Sequence, residues 1–322
     1  MEIDSAPQHD TSGIVAGVDI GGSKVALLIT DVATGTDLIE DRYPTPADAG
    51  PTAMLEELFS AVRDLVVQAG RHPEDLRALG IAVPGYIDVE RGRAIRAGNL
   101  AGWRDVPLRD IVGYEMGLPA YVDNDAAAAA LGEKWRGAAK QMHNFVFLAL
   151  GTGVGAGVMI NGRLHRGFHN AAGEVGNFMM SRRALDKDRG GHGDLELRIG
   201  GPAVQEQTAA VAGRKFKVKD TFARADGDRR LRKVADRVAD YIAMTVINIT
   251  ALLDPEAIIF GGGGSTAGEP LIERVRERVE RELAICPALM RSTLGEDAQL
   301  HGAVFGALWQ LHPELALREE LR

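Results

Sequence analysis

The sequence predicts an α/β protein built as two domains, on three observations. Its 322 residues are about twice the usual length of one domain. A strand, a tight glycine turn and a second strand occur twice, in IVAGVDIGGSKVALLIT and in FVFLALGTGVGAGVMING, with Gly21 and Gly151 130 residues apart. Between and after these units, helical periodicity alternates with short apolar runs, the pattern of a mixed or parallel sheet flanked by helices. The recurrence indicates a duplicated α/β plan, one copy per domain.

Taken in order, residues 1–12 carry Glu2, Asp4 and Asp10 and no apolar stretch. They read as a disordered lead-in rather than a signal peptide. The first strand–turn–strand follows, with Gly21-Gly22-Ser23 in the turn. Leu55, Leu58, Val62, Leu65 and Val66 then mark a helix, and Ala78–Val83 a strand. An extended segment ends at Val122-Asp123-Asn124-Asp125, before an Ala-rich helix over 126–135. The second strand–turn–strand places Gly151-Thr152-Gly153 in its turn. Residues 181–193 are charged and Gly-rich, hence a loop, and 214–230 is a second polar, surface stretch. Leu231, Val234, Val238, Tyr241, Ile242, Thr245, Val246 and Ile249 mark a long helix. A strand at Ala257–Phe260, a helix through Leu271, Ile272, Val275, Val279 and Leu283, and a final helix from about Gly302 complete the chain.

Hydrophobic residues make up 45% and charged residues 25%, enough apolar side chain for a large core. The net charge of −8 argues against a nucleic-acid binder held by phosphate contacts and against a basic membrane-surface protein. The most apolar stretch, Phe145 to Ile160, is too short to span a bilayer comfortably. Cys286 is the sole cysteine, which excludes an intramolecular disulfide, zinc fingers and cysteine-held clusters. A reducing, cytoplasmic setting is expected.

Three glycine clusters each follow a strand. In the first, successive N–H groups of Gly21 and Gly22 form a nest for phosphate oxygens, to which Ser23 and Lys24 add donors; a plain hairpin turn is the competing reading. In the second, Thr152 supplies a hydroxyl between Gly151 and Gly153, and Gly155 and Gly157 leave one face of the strand bare. The third, Gly261, Gly262, Gly263 and Gly264, suits a flat or large ligand, or a flexible loop. Together they favour a nucleotide over three unrelated turns. Asp125 is placed to take a proton from a substrate hydroxyl, the base of a phosphoryl transfer, with Asn124 orienting the same substrate. Taken alone, both read first as a helix N-cap.

These residues together resemble the ROK family of sugar kinases and repressors, within the actin-like superfamily of sugar kinases and Hsp70 ATPases. The resemblance lies in Asp19-Ile-Gly-Gly-Ser-Lys24, Val83-Pro-Gly-Tyr-Ile-Asp88, Gly98-Asn-Leu-Ala-Gly-Trp103 and Asn124-Asp-Ala126. It continues in Leu150 to Gly157, Asn161 to Gly167, Gly173-Glu-Val-Gly176 and Leu253-Asp-Pro-Glu256 with its glycines, in family order over nearly the whole chain. It implies two α/β domains with an active-site cleft between them: residues 13–118 with about 303–322, and residues 119–302. It further implies ATP and Mg²⁺. Asp125 is then the base; Asn99, Asn124, Glu174 and Glu196 bond sugar hydroxyls; Asp19 lies near Mg²⁺ through water. Gly21–Lys24 and Gly151–Gly153 hold phosphates, and Gly261–Gly264 face the adenosine. Trp103 either lines the cleft or packs in the core.

The chain departs from the family where many members hold a structural zinc with one His and three Cys. Here those positions are Asn177, Lys187, Arg189 and Asp194, and Lys and Arg cannot bind a metal cation. No structural zinc is therefore expected; His192 with Asp194 makes a poor site, and His165 and His169 read as loop residues. Asn177 also alters contacts near the sugar's anomeric side, and Ala127 replaces a common Asn. The expected activity is ATP-dependent phosphorylation of a primary hydroxyl of a hexose or hexose-like compound, as in a glucokinase. An amino sugar or a carbocyclic analogue is the alternative acceptor, and a non-catalytic sugar-binding or regulatory role the further one. A repressor is disfavoured because only an acidic dozen residues precede the first strand. A homodimer or tetramer is expected, with no nucleic acid or membrane partner.

Overall fold

A computed structural model describes residues 12–98 and 100–312. All of the expected lead-in except Ser12, the site residue Asn99, and the last ten residues of the expected N-terminal domain fall outside the described residues. The chain separates into two compact units, residues 1–124 with 303–322, and residues 125–302.

The first unit is built on a five-stranded sheet. Strands β1 (Ile14–Ile20) and β2 (Lys24–Asp31) form the predicted hairpin, and β3 (Asp37–Pro44) extends it antiparallel. Every residue of β1 is buried, as a central strand covered on both faces requires. Helix α1 (Gly50–Gln68) turns Met54, Leu55, Leu58, Phe59, Val62, Leu65 and Val66 inward, matching the periodicity. Strand β4 (Leu76–Val83) lies parallel to β1. A small sheet of β5 (Tyr86–Asp88), β6 (Arg93–Arg96) and β7 (Arg104–Val106) and helix α2 (Leu108–Met116) lead to β8 (Ala120–Asn124), parallel to β4. The order is β3-β2-β1-β4-β8. Because β8 pairs along β4, the division between units falls after Asn124 and not after residue 118 as expected. Trp103 is a core residue, 2% exposed among Leu100, Val106 and Leu108.

The second unit repeats the plan. Helix α3 (Asp125–Trp135) starts without a linker after β8, one residue earlier than expected. Strands β9 (Phe145–Leu150) and β10 (Val154–Ile160) form the second hairpin, and β11 (Arg163–Leu164) extends it antiparallel. Short α4 (Glu196–Ile199), α5 (Gly201–Ala212) and α6 (Val218–Arg224) precede α7 (Arg229–Leu253), whose apolar stripe is the one predicted. Asp228 caps α7, accepting from the Arg230 N–H. Strand β12 (Ala257–Gly261) pairs parallel to β9; α8 (Glu269–Glu282) and β13 (Ala288–Arg291), parallel to β12, complete the sheet. Its order, β11-β10-β9-β12-β13, has the same sequence of antiparallel and parallel pairings as the first. The polar stretch 214–230 holds α6.

Helix α9 (Ala298–Leu311) straddles the division. Within the second unit a Cβ on Gly302 would overlap the Ala128 carbonyl of α3. Within the first, Gly80 of β4 leaves room for the Ala303 backbone, and Tyr121 and Trp309 lie 6.4 Å apart between ring centroids. Among the described residues no helix is long and apolar enough to cross a membrane.

Candidate active site

In the first unit, Asp19 is buried near the end of β1. The turn after it is closed by the Gly21 N–H on the Lys24 carbonyl at 3.0 Å. Thr45 braces it from outside: its hydroxyl donates to the Gly21 carbonyl at 2.6 Å and its N–H to the Ser23 carbonyl at 3.1 Å. Asn124, at the end of β8, donates its side-chain amide to the Gly85 carbonyl at 2.9 Å.

The second unit gathers three carboxylates. Asp125 opens α3, and its Oδ1 accepts the Ala126 N–H at 2.8 Å. Glu174 lies on the segment after β11, which is bound to β10 by the Ala156 N–H on the Gly173 carbonyl at 2.7 Å. Burial, with Asp125 and Glu196 adding like charge, pushes the Glu174 carboxyl up to about 7. Glu196, at the start of α4, is held at both oxygens: Oε2 accepts the Val154 N–H at 3.2 Å and Oε1 meets His192 Nδ1 at 2.8 Å. The sequence reading missed the His192–Glu196 pair; only their i, i+4 spacing signalled it.

Two glycine clusters meet in this unit. A Cβ on Gly261 would overlap the Phe147 ring, and Cβ atoms on Gly262 and Gly264 would come within 2.7 and 2.8 Å of the Leu150 carbonyl. These three glycines are required by packing across the end of β9, beside the Gly151 turn. Gly151 and Gly263 differ: a Cβ there would find its nearest neighbour only at 3.9 and 3.7 Å. Packing makes no demand for glycine at these two, and a side chain would fill space in front of the turns. The space left at Gly151, next to Thr152 in the turn, has room for a phosphate group; a Cβ on Gly153 would instead come within 2.8 Å of Glu196 Oε2.

The loop before Glu196 is closed by an ion pair. Asp194 is 6% exposed. It accepts the Met180 N–H at 2.9 Å and two bonds from Arg198, Nε and Nη2, each at 3.0 Å. Burial pushes its carboxyl up, but Arg198 and the Met180 N–H outweigh that and hold it below the ordinary value. Arg198 also donates to the Tyr241 hydroxyl at 2.6 Å and lies over that ring, which ties the loop to α7. Gly193 closes the contact, since a Cβ there would overlap the Gly176 carbonyl. Asn177 is exposed just beyond. Among the described residues no three His, Cys, Asp or Glu side chains are grouped to hold a metal ion.

The profile of the ROK family matches residues 15–311. The chain belongs to the ROK family. It is 31% identical to a glucokinase of Halalkalibacterium halodurans over 89% of this chain and 92% of that one. It is 30% identical to a xylose repressor of Caldicellulosiruptor bescii over 84% of this chain and 70% of that protein. Among solved structures, a ROK family glucokinase from Streptomyces griseus in complex with glucose and AMPPNP aligns over 92% of this chain and 99% of that one, with a TM-score of 0.75 and 31% identity. The paired five-stranded sheets are therefore those of the actin-like fold of ROK sugar kinases.

Proposed function

We propose that this ROK protein transfers the γ-phosphoryl group of MgATP to a primary hydroxyl of a hexose or hexose-like sugar. It is an ATP-dependent sugar kinase, and the observation that carries the finer reading is the carboxylate cluster of Asp125, Glu174 and Glu196. Asp125 takes the proton of the attacking hydroxyl, and the Ala126 N–H on Oδ1 helps fix the carboxylate. Glu174, with its carboxyl near 7, is part protonated at neutral pH, so it donates to one sugar hydroxyl or accepts from another. Glu196, pinned by Val154 and His192, is a fixed acceptor, and Asn99, Asn124 and Asn177 complete the sugar contacts. Carboxylates and amides of this kind suit a hydroxyl-rich ligand, which must exchange every water bond it gives up.

Gly21–Lys24 and Gly151–Gly153 bind the phosphates and Gly261–Gly264 border the adenosine. The buried carboxylate of Asp19 suits Mg²⁺ held chiefly by phosphate oxygens and water; when bound, the ion would neutralise charge developing on the transferred group. The reaction belongs in the cytoplasm, where ATP is supplied, and the working assembly is a dimer or tetramer. A second acceptor class, an amino sugar or a cyclitol, is favoured by Asn177, which is shorter than His and offers both a donor and an acceptor. A purely sugar-sensing role is disfavoured by the retained Asp125.

A coupled ADP-release assay with MgATP against glucose, mannose, fructose, hexosamines, N-acetylhexosamines and cyclitols tests the reading. Turnover of one acceptor at ordinary kinase rates is expected; ADP release unchanged by every acceptor in the panel would overturn it.

A further inference from the structure

Residues 214–233 carry nine Lys or Arg against three Asp, a local net of +6 in a chain whose net charge is −8. Part of that charge converges on one cavity. The end of α5, the turn after it, α6 and the start of α7 enclose a cleft of about 450 Å³, lined among others by Arg214, Phe216, Arg224, Asp228 and Arg230. The Arg214 guanidinium lies 4.3 Å from the centroid of the Phe216 ring and that of Arg224 5.7 Å from it. Stacking on a ring fixes the plane of a guanidinium and leaves its N–H edge free to donate.

Among the described residues, neither Arg214 nor Arg224 forms an ion pair with a carboxylate. Three of the acids nearby are already used, while Asp220 stands exposed to solvent one turn before Arg224 in α6. Asp228 accepts from Arg230, at both its backbone and its side chain. Asp226 pairs with Arg232 and Arg274, and Glu206 with Lys215. Two exposed guanidiniums thus line one cleft with no carboxylate bonded to either, and stay available to an anion. The fork geometry of guanidinium matches phosphate oxygens, to which it donates in pairs. The volume is that of a small-molecule site.

We propose that this cleft is a second ligand site, separate from the carboxylate cluster, and that it takes a small phosphate-bearing anion of at least two negative charges. The inference stands on the cleft alone and does not depend on which sugar the kinase uses.

The test is calorimetric titration of the full chain with inorganic tripolyphosphate at physiological ionic strength. Excess MgAMPPNP is present, so that the phosphate turns of the nucleotide site are filled. One further site is expected, with sulfate at matched ionic strength binding at least about tenfold more weakly. The double variant Arg214→Ala/Arg224→Ala is expected to weaken tripolyphosphate at least about tenfold, the effect of losing one or more charge-assisted bonds. Arg214→Lys/Arg224→Lys keeps the charge and should bind at an intermediate level. Phe216→Leu alters no charge but removes the ring that orients both guanidiniums, and should weaken binding severalfold. Wild-type protein that takes up no tripolyphosphate at millimolar concentration overturns the proposal. So does wild-type affinity in the double alanine variant, or in Phe216→Leu, since the latter would reduce the cleft to undirected surface charge.

Discussion

Asp194→Ala removes a carboxylate that accepts three hydrogen bonds and leaves the Arg198 guanidinium with only the Tyr241 and Ser181 hydroxyls. Breaking a buried ion pair by deleting one partner costs about 3–5 kcal/mol. The Arg198 side chain keeps 26% of its exposure, so water softens the loss and the low end, about 3 kcal/mol, is expected. That is a factor of roughly 10² in the local opening equilibrium. The measurement is amide hydrogen exchange over residues 178–199, read against α7 as an internal reference. The Met180 and Leu197 N–H groups, bonded to Asp194 and to the Gly193 carbonyl, should exchange roughly a hundredfold faster in the variant. Asp194→Leu/Arg198→Met, which removes both charges, should recover much of the protection, because it leaves no orphan cation. A carboxyl held below its ordinary value of 3.8 contributes stability that is whole above that pH and is lost as pH falls through the lower folded value. The loop should therefore stay closed at neutral pH and loosen only in acid. Unchanged exchange across 178–199 in Asp194→Ala would refute the claim that this ion pair closes the loop.

Four further outcomes are expected. Asp125→Asn should lower kcat at least about 10²-fold while equilibrium sugar binding, measured calorimetrically without turnover, stays within a few-fold of wild type. Glu174, raised from 4.5 to about 7, contributes stability that is present below 4.5 and is lost as pH rises through 7. Glu174→Gln should therefore gain on wild type, by up to about 3 kcal/mol, between pH 5 and pH 8 in denaturant midpoints. Gly151→Ala meets no atom closer than 3.9 Å; it should melt within about a degree of wild type yet raise the KM for ATP severalfold. A chelator should leave the melting temperature of the nucleotide-free protein unchanged and abolish turnover until Mg²⁺ is returned.

The hairpins were legible because apolar runs flanking a Gly-rich turn admit few other structures, and α1 and α7 because their stripes keep one period over many turns. The place of β8 was not legible: nothing local in Ala120–Asn124 distinguishes a last strand of one sheet from a first strand of the next, and only its pairing with β4 decides. Trp103 is of the same kind, since ring size says nothing about which side of a sheet it meets. Gly261, Gly262 and Gly264 read as ligand-facing, yet their lack of a side chain answers to Phe147 and Leu150, contacts made through a strand more than a hundred residues earlier. In the carboxylate cluster the residue types were readable one at a time. The upward push on Glu174 arises only when burial and two other acids coincide in space.

The passage of the chain between its two units also bears on how such a protein can be rebuilt. It crosses twice, between Asn124 and Asp125 and between Gly302 and Ala303, and neither crossing is a loop: one joins a strand to a helix and the other lies inside α9. The first turn of α3 and Gly302 touch, so residues 125–302 begin and end at one spot. They form a cassette whose ends meet, set into a host that otherwise runs from β8 straight to the remainder of α9. Close chain ends are what domain insertion and exchange require. An exchange of residues 125–302 for those of a relative therefore needs two splices, one of them inside α9, whereas the first unit, cut at residue 124, forfeits the helix that packs on Gly80 and Tyr121.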